Sequence, residues 1–486
     1  MGVCHPILRG SAEAGGLVYA VSLIVNQNED PGGATMNQLT RRRFGAGLSL
    51  ATAASYSRIL GASERVRMGY IGLGNRGDQV HDAFLEHGDQ QTAAVCDLRE
   101  DYLDLAVKKS RATPKRYKEY RKLLEDKDVD AVVIATPDHW HAIMFLEACH
   151  AGKDVYVEKP LSLTVYEGRR MVETAERTKR VTQVGTNRRS WKSYAEAAGY
   201  IRSGGLGRVS VARCFHVRNE WPLGLSKPPD GPPPSAEEWD RWLGPAPKAP
   251  YNPNRMYYNF RWFYDYSGGQ LTNFGVHYID VIRWFLGLET PKAVTAIGGR
   301  CAGIEDNREI PDTLEVLWEF AGPTLVVFCQ YNGNAAPSNA RNSEIEFRGT
   351  KGTMYVQEAN WEVAPERTSD FPTGYAGGQG YGNPVDRSGG RRGTRKPQIE
   401  ARTVKGSASY NTESHTRNFL DCVKTRGKCN ADVLTGHLST SSTLIGNIAH
   451  KRRAMLEWDG RAERFTNDPR ANDLLHYKYR APYKLG

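Results

Sequence analysis

The chain has 486 residues, of which 40% are hydrophobic and 25% charged, a composition typical of a globular protein with two or three domains. No apolar run approaches the roughly 20 residues of a membrane-spanning helix, so we expect no transmembrane span. The net charge is +10, but three positive residues lie at residues 41–43 and five more at residues 387–396. The rest of the chain is nearly neutral, which argues against DNA or RNA binding.

A twin-arginine export signal lies near the N-terminus. The run TRRRF at residues 40–44 matches the Ser/Thr-Arg-Arg-x-Phe core of such signals, and a weakly apolar run of small residues follows at residues 45–54. We interpret residues 1–63 as an N-terminal extension that carries this signal, in which residues 1–35 are extraneous and Met36 is the true start. We therefore expect the Tat export machinery as a partner and the periplasm as the location of the protein.

Two kinds of strand pattern divide the rest of the chain. Between residues 64 and 187, short Val- and Ile-rich runs alternate with amphipathic stretches, which is typical of a parallel sheet covered by helices on both faces. After about residue 205, strands alternate apolar and polar residues, which indicates a sheet with one buried face. The sequence therefore predicts an α/β Rossmann-type doubly wound parallel domain at residues 64–187. An α+β domain with an open, mainly antiparallel sheet is predicted at residues 188–486.

A glycine-rich loop, GLGNRG at residues 72–77, follows the first predicted strand and opens the first predicted helix. The first glycine permits a tight turn, the second lets the backbone approach a pyrophosphate, and the third lets the helix pack closely on the strand. The helix N-terminus adds N–H donors for phosphate oxygens. An isolated motif of this kind is weak evidence, so its context decides its meaning. The predicted nucleotide contacts from this loop are Gly72, Gly74, Asn75, Arg76 and Gly77.

An acidic residue supplies that context. Asp97 lies at the end of the second predicted strand, 20 residues after Gly77, where a carboxylate binds a ribose 2′-hydroxyl. Its charge would repel a 2′-phosphate, so we expect NAD as the cofactor, while Arg76 and Arg99 keep NADP open as an alternative. Because the Tat machinery exports folded proteins, we expect the protein to leave the cytoplasm with this cofactor already bound.

The segment ATPDHWH at residues 135–141 follows the fourth predicted strand. Its two histidines have a spacing that fits a metal site, but no further group of ligands supports one, and we predict no metal. At the carboxyl edge of a parallel sheet, where ligands bind, the segment is better interpreted as packing on the cofactor. The predicted contacts are Thr136, Pro137, His139 and Trp140.

Glu158, Lys159 and Pro160 end the fifth predicted strand at the same edge. Considered alone, this motif fits a surface ion pair before a helix equally well. At the edge of the cleft, Lys159 is a candidate to handle the proton of a substrate alcohol, because oxidation to a ketone removes a hydride from carbon and a proton from oxygen. Burial and a cationic nicotinamide would lower the pKa of this lysine, whereas pairing with Glu158 would oppose that shift.

A helix in the second half of the chain carries the last candidate group. It follows the sequence GGQLTNFG, and His277 and Asp280 share one of its faces with Val281 and Trp284. The opposite face is apolar and indicates the core, so we expect the first face to point into the cleft. A single histidine on a helix is usually structural. Near the positive end of the helix dipole, however, a neutral imidazole is favoured, which suits a general base.

These motifs together resemble the Gfo/Idh/MocA oxidoreductases, and the export signal resembles that of the exported members of that family. The matching segments lie between about residues 64 and 450 and are GLGNRG, VVIATPDHWH, VYVEKPL, QVGTNRRS and FRWFYDYSGGQLTNFGVHYIDVIRWFLG. The resemblance implies a Rossmann domain, a second domain whose open sheet forms a homo-oligomer interface, and a sugar or cyclitol substrate. It also implies that Lys159 and His277 act at the reacting carbon, with Glu158 and Asn187 beside the cofactor.

One position departs from the family pattern. The family often has an aspartate four residues before the histidine, where this chain has Asn273. An asparagine binds a hydroxyl but does not titrate, so a family-style Asp–His relay is in doubt here. We predict Asn273 and Asp280 as further site residues, with Asp280, one helical turn after His277, as the candidate replacement for the aspartate.

Three functions are compatible with these features. The first is an exported NAD(P)-dependent oxidoreductase that acts on a secondary hydroxyl of a sugar or sugar derivative and retains its cofactor. A second carbonyl substrate would then regenerate the cofactor in place. The second function is a redox-neutral glycoside hydrolase or lyase that oxidises its substrate only transiently. The third, a non-catalytic sugar-binding protein, is disfavoured by Lys159 and His277.

Overall fold

The computed structural model describes the chain over residues 65–220, 224–367, 396–407 and 412–486. The predicted extension of residues 1–63, with its twin-arginine signal, lies outside the described residues. Within the described ranges, no helix combines the length and the apolar content that a membrane crossing requires.

Six parallel strands form the first sheet. They are β1 (Val66–Ile71), β2 (Gln90–Cys96), β3 (Lys115–Tyr117), β4 (Ala131–Ile134), β5 (Asp154–Val157) and β6 (Thr182–Val184). The helices between them are α1 (Asn75–Leu85), α2 (Glu100–Lys109), α3 (Tyr120–Glu125), α4 (Asp138–His150) and α5 (Val165–Thr178). The strand order is β3-β2-β1-β4-β5-β6, which reverses direction between β1 and β4. This reversal leaves a crevice at the carboxyl ends of β1 and β4, and the predicted doubly wound domain is confirmed.

Apolar side chains on both faces hold these strands inside the domain. Every residue of β4 and β5 is buried. Successive residues of β4 join two different cores, with Val132 and Ile134 in one and Ala131 and Val133 in the other. Each buried valine side chain contributes about 1.5 kcal/mol or more to stability. The continuous apolar runs of the sequence therefore correspond to strands covered by helices on both faces.

Ten strands form the second sheet. They are β7 (Val209–Val217), β8 (Pro291–Gly299), β9 (Thr313–Phe320), β10 (Leu325–Tyr331), β11 (Ile345–Gly349), β12 (Gly352–Gln357), β13 (Asn360–Pro365), β14 (Arg402–Val404), β15 (Leu456–Asp459) and β16 (Arg464–Phe465). Their order is β14-β13-β12-β11-β7-β10-β9-β8-β15-β16. Strands β7 and β10 pair in parallel, and the other described pairs are antiparallel. The predicted open, mainly antiparallel sheet is confirmed.

Helices cover one face of the second sheet. The helices of this half are α6 (Lys192–Arg202), α7 (Ala236–Leu243), α8 (Val276–Leu286), α9 (Glu413–Thr425), α10 (Val433–Arg452) and α11 (Pro469–Asn472). Helices α6, α8 and α10 share a core with the sheet. On the other face, Ile297 is 79% exposed, while Phe215 and Val327 are buried in a smaller cluster. A homo-oligomer interface on this open face stays a prediction.

Helix α9 packs against the first sheet, although its sequence lies within residues 188–486. Phe419 shares a core with Phe84 of α1 and Tyr156 of β5. Its ring centroid lies 6.1 Å from that of Phe84 and 6.0 Å from that of Tyr156, both in edge-on arrangements that aromatic rings prefer. The C-terminal part of the chain therefore completes the core of the first domain.

Helix α10 lies close to both sheets. A Cβ atom on Gly436 would lie 2.4 Å from a methyl group of Val184 in β6, and one on Gly446 would lie 3.0 Å from a methyl group of Val316 in β9. Five of the nine residues between these two glycines are serine or threonine, and eight of the nine are buried. Small side chains let one helix approach two sheets at once, so α10 fixes the two halves of the molecule against each other.

The packing of α9 predicts a stability effect. Phe419→Ala should lower the free energy of unfolding by about 3–5 kcal/mol, because it leaves a cavity between α9 and the first sheet. Denaturant-induced unfolding followed by circular dichroism measures this change. Ser414→Ala, at an exposed position of the same helix, is the matched control and should change stability by less than about 0.5 kcal/mol. Equal effects of the two substitutions would contradict this packing.

Candidate active site

The glycine-rich loop of residues 72–77 lies in the crevice between β1 and β4. Gly72 has a φ of +84°, and a Cβ atom there would lie 2.7 Å from the carbonyl oxygen of Ala135. A Cβ atom on Gly77 would lie 2.1 Å from the oxygen of Gly72, so only glycine lets α1 start this close to the strand. Gly74 is the N-cap residue of α1. The loop therefore fits the phosphates of a dinucleotide, with N–H groups of α1 as donors.

Asp97 follows β2 at the same edge of the sheet. Its Oδ2 atom accepts a hydrogen bond from Leu73 N at 2.8 Å, and its Oδ1 atom accepts one from Arg99 N at 2.9 Å. Burial raises the pKa of Asp97, although these two bonds oppose the shift. The backbone bonds hold the carboxylate beside the glycine loop and use only part of its acceptor capacity, which leaves lone pairs for ribose hydroxyls.

Arg76 and Arg99, the two arginines for which NADP was kept as an alternative cofactor, are both paired with acidic side chains. Arg76 donates through Nε to Glu158 Oε1 at 2.9 Å. Arg99 donates through Nε to Asp101 Oδ1 at 2.9 Å, and its guanidinium lies 4.4 Å from the ring centroid of Tyr102. Because each guanidinium already has an anionic partner, this arrangement favours NAD over a cofactor with a 2′-phosphate.

Glu158 joins the glycine loop to the end of β5. Its side chain is buried, and besides the bond from Arg76 it accepts one from the backbone N of Lys159 at 3.1 Å. Gly185 leaves room for this carboxylate, since a Cβ atom there would lie 2.6 Å from Glu158 Oε1. The motif is therefore no surface ion pair. Its carboxylate pairs with Arg76 and not with the lysine ammonium.

Lys159 meets a neutral partner. Its Nζ atom donates to Oδ1 of Asn273 at 2.6 Å and to the backbone oxygen of the same residue at 3.1 Å. Burial lowers the pKa of this amine to about 8; the charge of Glu158 opposes the shift and that of Arg261 adds to it. A pKa in this range populates both protonation states near neutral pH, as a group that exchanges a proton with an alcohol requires.

A π-helical turn, Leu271–Gly275, carries Asn273 and leads directly into α8, where His277 occupies the first turn. The Nδ1 atom of His277 is buried and has no hydrogen-bond partner among the described residues. Burial lowers the pKa of His277 well below its ordinary value, and the charge of Lys159 adds to this. The predicted neutral imidazole therefore has burial, rather than the helix dipole, as its main cause.

Asp280 has a different role from the one expected. Its carboxylate accepts hydrogen bonds from Arg189 Nε at 2.8 Å and from Ser439 Oγ at 2.7 Å, and no described contact joins it to His277. Three residues along an α-helix leave two side chains about 60° apart, which is enough to turn Asp280 from the cleft toward α10. Val281, predicted on the same face, lies in the core of the second sheet.

His139 and Trp140 face α7 and not the crevice. His139 Nε2 lies 3.1 Å from the carbonyl oxygen of Trp242, and Trp140 Nε1 donates to the same oxygen at 2.9 Å. The ring of His139 also packs on Trp242 and Tyr266, with centroids 5.2 Å apart in each case. These contacts differ from the predicted cofactor contacts because aromatic side chains of the second half cover this turn of α4. In the described ranges, no three His, Cys, Asp or Glu side chains form a metal-binding group.

The sequence did not indicate three further polar residues near Lys159. Asp138 is buried in the first turn of α4 and accepts a hydrogen bond from Ser267 Oγ at 2.5 Å. Burial raises the pKa of Asp138. Arg261 has a buried Nε atom without a hydrogen-bond partner in the described part of the chain, and it lies in a 3-10 helix, Asn259–Trp262, at the start of the last family-like segment of the sequence. The other predicted contacts lie at the carboxyl edge of the first sheet: Asn75, Thr136, Pro137 and Asn187.

Solved structures with the same fold include levoglucosan dehydrogenase in complex with NADH and levoglucosan, with a TM-score of 0.59 and 17% identity over 81% of this chain and 99% of that one. The aldose-aldose oxidoreductase from Caulobacter crescentus, complexed with glycerol, has a TM-score of 0.58 and 17% identity over 81% of this chain and 100% of that one. At this identity the likeness concerns the fold alone.

Curated relatives match about a third of the chain. "Glycosyl hydrolase family 109 protein 1" of Shewanella sp. (strain ANA-3) is 35% identical over 162 residues, which are 32% of this chain and 35% of that protein. The "Glycosyl hydrolase family 109 protein" of Shewanella putrefaciens is 36% identical over 160 residues, 31% of this chain and 35% of that protein. The chain thus spans about a third of the length of these relatives.

Two family models match most of the described chain. One, "Oxidoreductase family, NAD-binding Rossmann fold", matches residues 66–186. The other, "Oxidoreductase family, C-terminal alpha/beta domain", matches residues 205–298 and 396–485. Together they cover more than half of the sequence, with all of the first sheet and part of the second. The chain therefore belongs to the Gfo/Idh/MocA family of NAD-binding oxidoreductases.

Proposed function

We propose that the protein is an NAD-dependent oxidoreductase that acts on a secondary hydroxyl of a sugar or sugar derivative, with Lys159 and His277 at the reacting carbon. One observation carries this proposal. An amine with a pKa of about 8, whose hydrogen bonds among the described residues both go to the neutral Asn273, shares a crevice with a glycine loop and a neutral histidine. This combination suits the removal of a proton from an alcohol.

The residues of the chain have separate tasks in this reaction. The glycine loop and Asp97 would hold NAD, which when bound would supply the acceptor for the hydride that leaves the substrate carbon. Lys159, as the free amine, takes the proton of the hydroxyl on that carbon, and its two bonds to Asn273 hold the nitrogen in place. His277 stays neutral and offers its Nδ1 atom, which has no partner among the described residues, to a substrate hydroxyl. Glu158 and Arg76 neutralise each other and connect the lysine segment to the glycine loop.

The carbohydrate class rests on the comparisons. Solved structures with this fold carry names that mention levoglucosan, aldoses or scyllo-inositol, which are all polyhydroxylated rings or chains. Several secondary hydroxyls on one small molecule suit a site in which an amine, an imidazole and an amide lie close together. This support is by similarity and leaves the individual sugar open.

The curated relatives favour a second candidate, a redox-neutral glycoside hydrolase. Oxidation of one hydroxyl to a ketone makes the proton on the adjacent carbon acidic. A base such as His277 removes that proton, the glycosidic oxygen leaves, water adds, and the ketone is reduced again. The net reaction is hydrolysis. It needs no second substrate and is consistent with the names of relatives that match about a third of the chain.

We also propose that the protein reaches the periplasm through the Tat machinery with NAD already bound. The twin-arginine run at residues 40–44 supports this proposal. A cofactor that cannot exchange with the cytoplasm must be regenerated in the same site, which both candidate reactions achieve.

The pH dependence of kcat/KM for oxidation should follow Lys159. The free amine is the active form, so activity should fall about tenfold per pH unit below a pKa of about 8 and level off above it. Asn273→Asp places a carboxylate against the ammonium and so raises the pKa of Lys159. The acidic limb of the pH profile, where kcat/KM falls, should therefore move up by at least about one pH unit. Asn467→Asp adds the same charge at an exposed position and should leave the limb unchanged.

A second experiment separates the two candidate reactions. Purified protein without added cofactor is incubated with aryl glycosides and with free sugars, while the absorbance of reduced nicotinamide is followed. Release of the aryl group without a lasting reduced signal supports the hydrolase; a reduced signal that lasts until a ketose is added supports the oxidoreductase. Lys159→Met should lower either activity by at least about 100-fold. Wild-type turnover in this variant would remove Lys159 from the mechanism.

Export with bound cofactor has its own test. The double substitution Arg41→Lys and Arg42→Lys should keep the protein in the cytoplasmic fraction, because Tat signals depend on the arginine pair. Immunoblots of fractionated cells measure this distribution. Periplasmic protein with the native signal should release about one NAD per chain on denaturation. Absence of nucleotide in that sample would contradict retention of the cofactor.

A further inference from the structure

A line of hydrogen bonds leads from Lys159 to a carboxylate outside the motifs of the site. Asn273, which accepts from Lys159 Nζ at 2.6 Å, donates through Nδ2 to Gln270 Oε1 at 3.0 Å. Gln270 donates through Nε2 to Glu220 Oε2 at 2.5 Å. The other carboxylate oxygen, Glu220 Oε1, lies 3.4 Å from His216 Nε2. Two side-chain amides, which we call the amide bridge (Asn273 and Gln270), therefore separate the lysine from the carboxylate.

The ends of this line fix the direction of its hydrogen bonds. An ammonium only donates, and an ionised carboxylate only accepts. Glu220 is ionised, because burial raises the pKa of this carboxyl less than the neighbouring His216, the charge of Arg218 and the bond from Gln270 together lower it. Gln270 must turn its NH2 group to Glu220 and its oxygen to Asn273. Asn273 must then donate to Gln270 and turn its own oxygen to Lys159.

We propose that Glu220 and Gln270 are positioning residues for Lys159, because through the amide bridge they keep a hydrogen-bond acceptor, and not a donor, against its Nζ atom. The inference rests on the proposed function of Lys159. With two N–H bonds directed to Asn273, the free amine has its lone pair on the side away from that residue. The orientation of the base is thus fixed by a carboxylate that does not touch it.

The bridge also keeps negative charge away from the amine. The charged groups that act on Lys159 are Glu158, Arg261, Asp138 and Arg76, and Glu220 is not among the leading ones. Glu158 is itself paired with Arg76. A carboxylate in direct contact with the ammonium would raise the pKa of the lysine. Two neutral amides transmit the direction of the hydrogen bonds without that charge.

Tight packing keeps the bridge in one arrangement. Gln270 is buried, and Gly269 before it has a φ of +72°. A Cβ atom on Gly269 would lie 2.3 Å from the Cγ2 atom of Ile310, so no larger residue fits there. His216 is buried and stacks on Phe274 with ring centroids 4.5 Å apart. The partners of the amide bridge on both sides therefore lie on fixed backbone.

Glu220→Gln tests this inference, since a glutamine presents either a donor or an acceptor to Gln270. We expect kcat to fall roughly 10- to 100-fold with KM within about threefold, because the base loses its orientation while the substrate contacts remain. We also expect the pKa of Lys159 to fall by about one unit, because the ammonium loses its fixed acceptor. Competitive acetylation of Lys159 against pH, read by mass spectrometry, measures this pKa without any turnover.

Two further variants separate positioning from folding. Glu315→Gln changes another partly buried carboxylate, bonded to Tyr331, and should alter neither kcat nor the pKa of Lys159. Gln270→Met interrupts the bridge but keeps Glu220, and should shift both quantities in the same direction as Glu220→Gln. Thermal unfolding checks that each variant is folded. If Glu220→Gln does not fold, Gln270→Met provides the test.

A double-mutant cycle gives the decisive comparison. Asn273→Asp supplies an acceptor to Lys159 by its own charge, so Glu220→Gln in that background should cost less than about threefold in kcat. An equal loss in both backgrounds, or an unchanged pKa of Lys159 in Glu220→Gln and Gln270→Met, would overturn the positioning role. Wild-type turnover in Lys159→Met would instead overturn the proposed function itself, and the acetylation pKa would still report on the bridge.

Discussion

The site depends on how the chain treats one partly buried amine. Water stabilises an ammonium strongly, so its removal from water favours the neutral form unless an anion takes its place. The nearest acid in the sequence, Glu158, is turned to Arg76, and the partner that remains for Lys159 is the uncharged Asn273. The result is an amine with a pKa of about 8 in place of a permanent cation. Much of the surrounding structure keeps Glu158 bonded to Arg76 and Asn273 bonded to Lys159.

Helix α10 helps to hold these side chains in place. It bonds both to the segment after β5, which carries Lys159, and to α8, which carries His277. Thr440 Oγ1 accepts from Leu161 N, two residues after Lys159, at 3.2 Å. Ser439 donates to Asp280 in α8, the helix of His277, at 2.7 Å. The polar residues of this buried helix thus hold the segment after β5, which carries Lys159, and helix α8, which carries His277, and this explains why Asp280 is occupied with α10.

Local patterns in the sequence predicted the features that local physics determines. The parallel sheet, the glycine turn and Asp97 follow from strand periodicity and backbone geometry within short segments. The partners of Asp280 and His139 did not follow, because Ser439 and Trp242 lie more than 100 residues away in the chain. Glu220 carried no signal at all, since its meaning arises only through Gln270 and Asn273. Motifs located the glycine loop and Lys159, whereas long-range packing decided which side chains orient them.

The uncharged amide bridge suits a site that catalyses both an oxidation and the reverse reduction. A retained cofactor is reduced and reoxidised in one place, whether by a second carbonyl or by the same substrate after elimination. The group that takes a proton in the first half of such a cycle must return one in the second. A strongly paired lysine would hold its proton, and a fully desolvated one would seldom carry it. An amine with a pKa near the working pH, oriented by neutral amides, is competent for both halves, so Asn273 in place of an aspartate fits a reversible cycle better than a one-way oxidation.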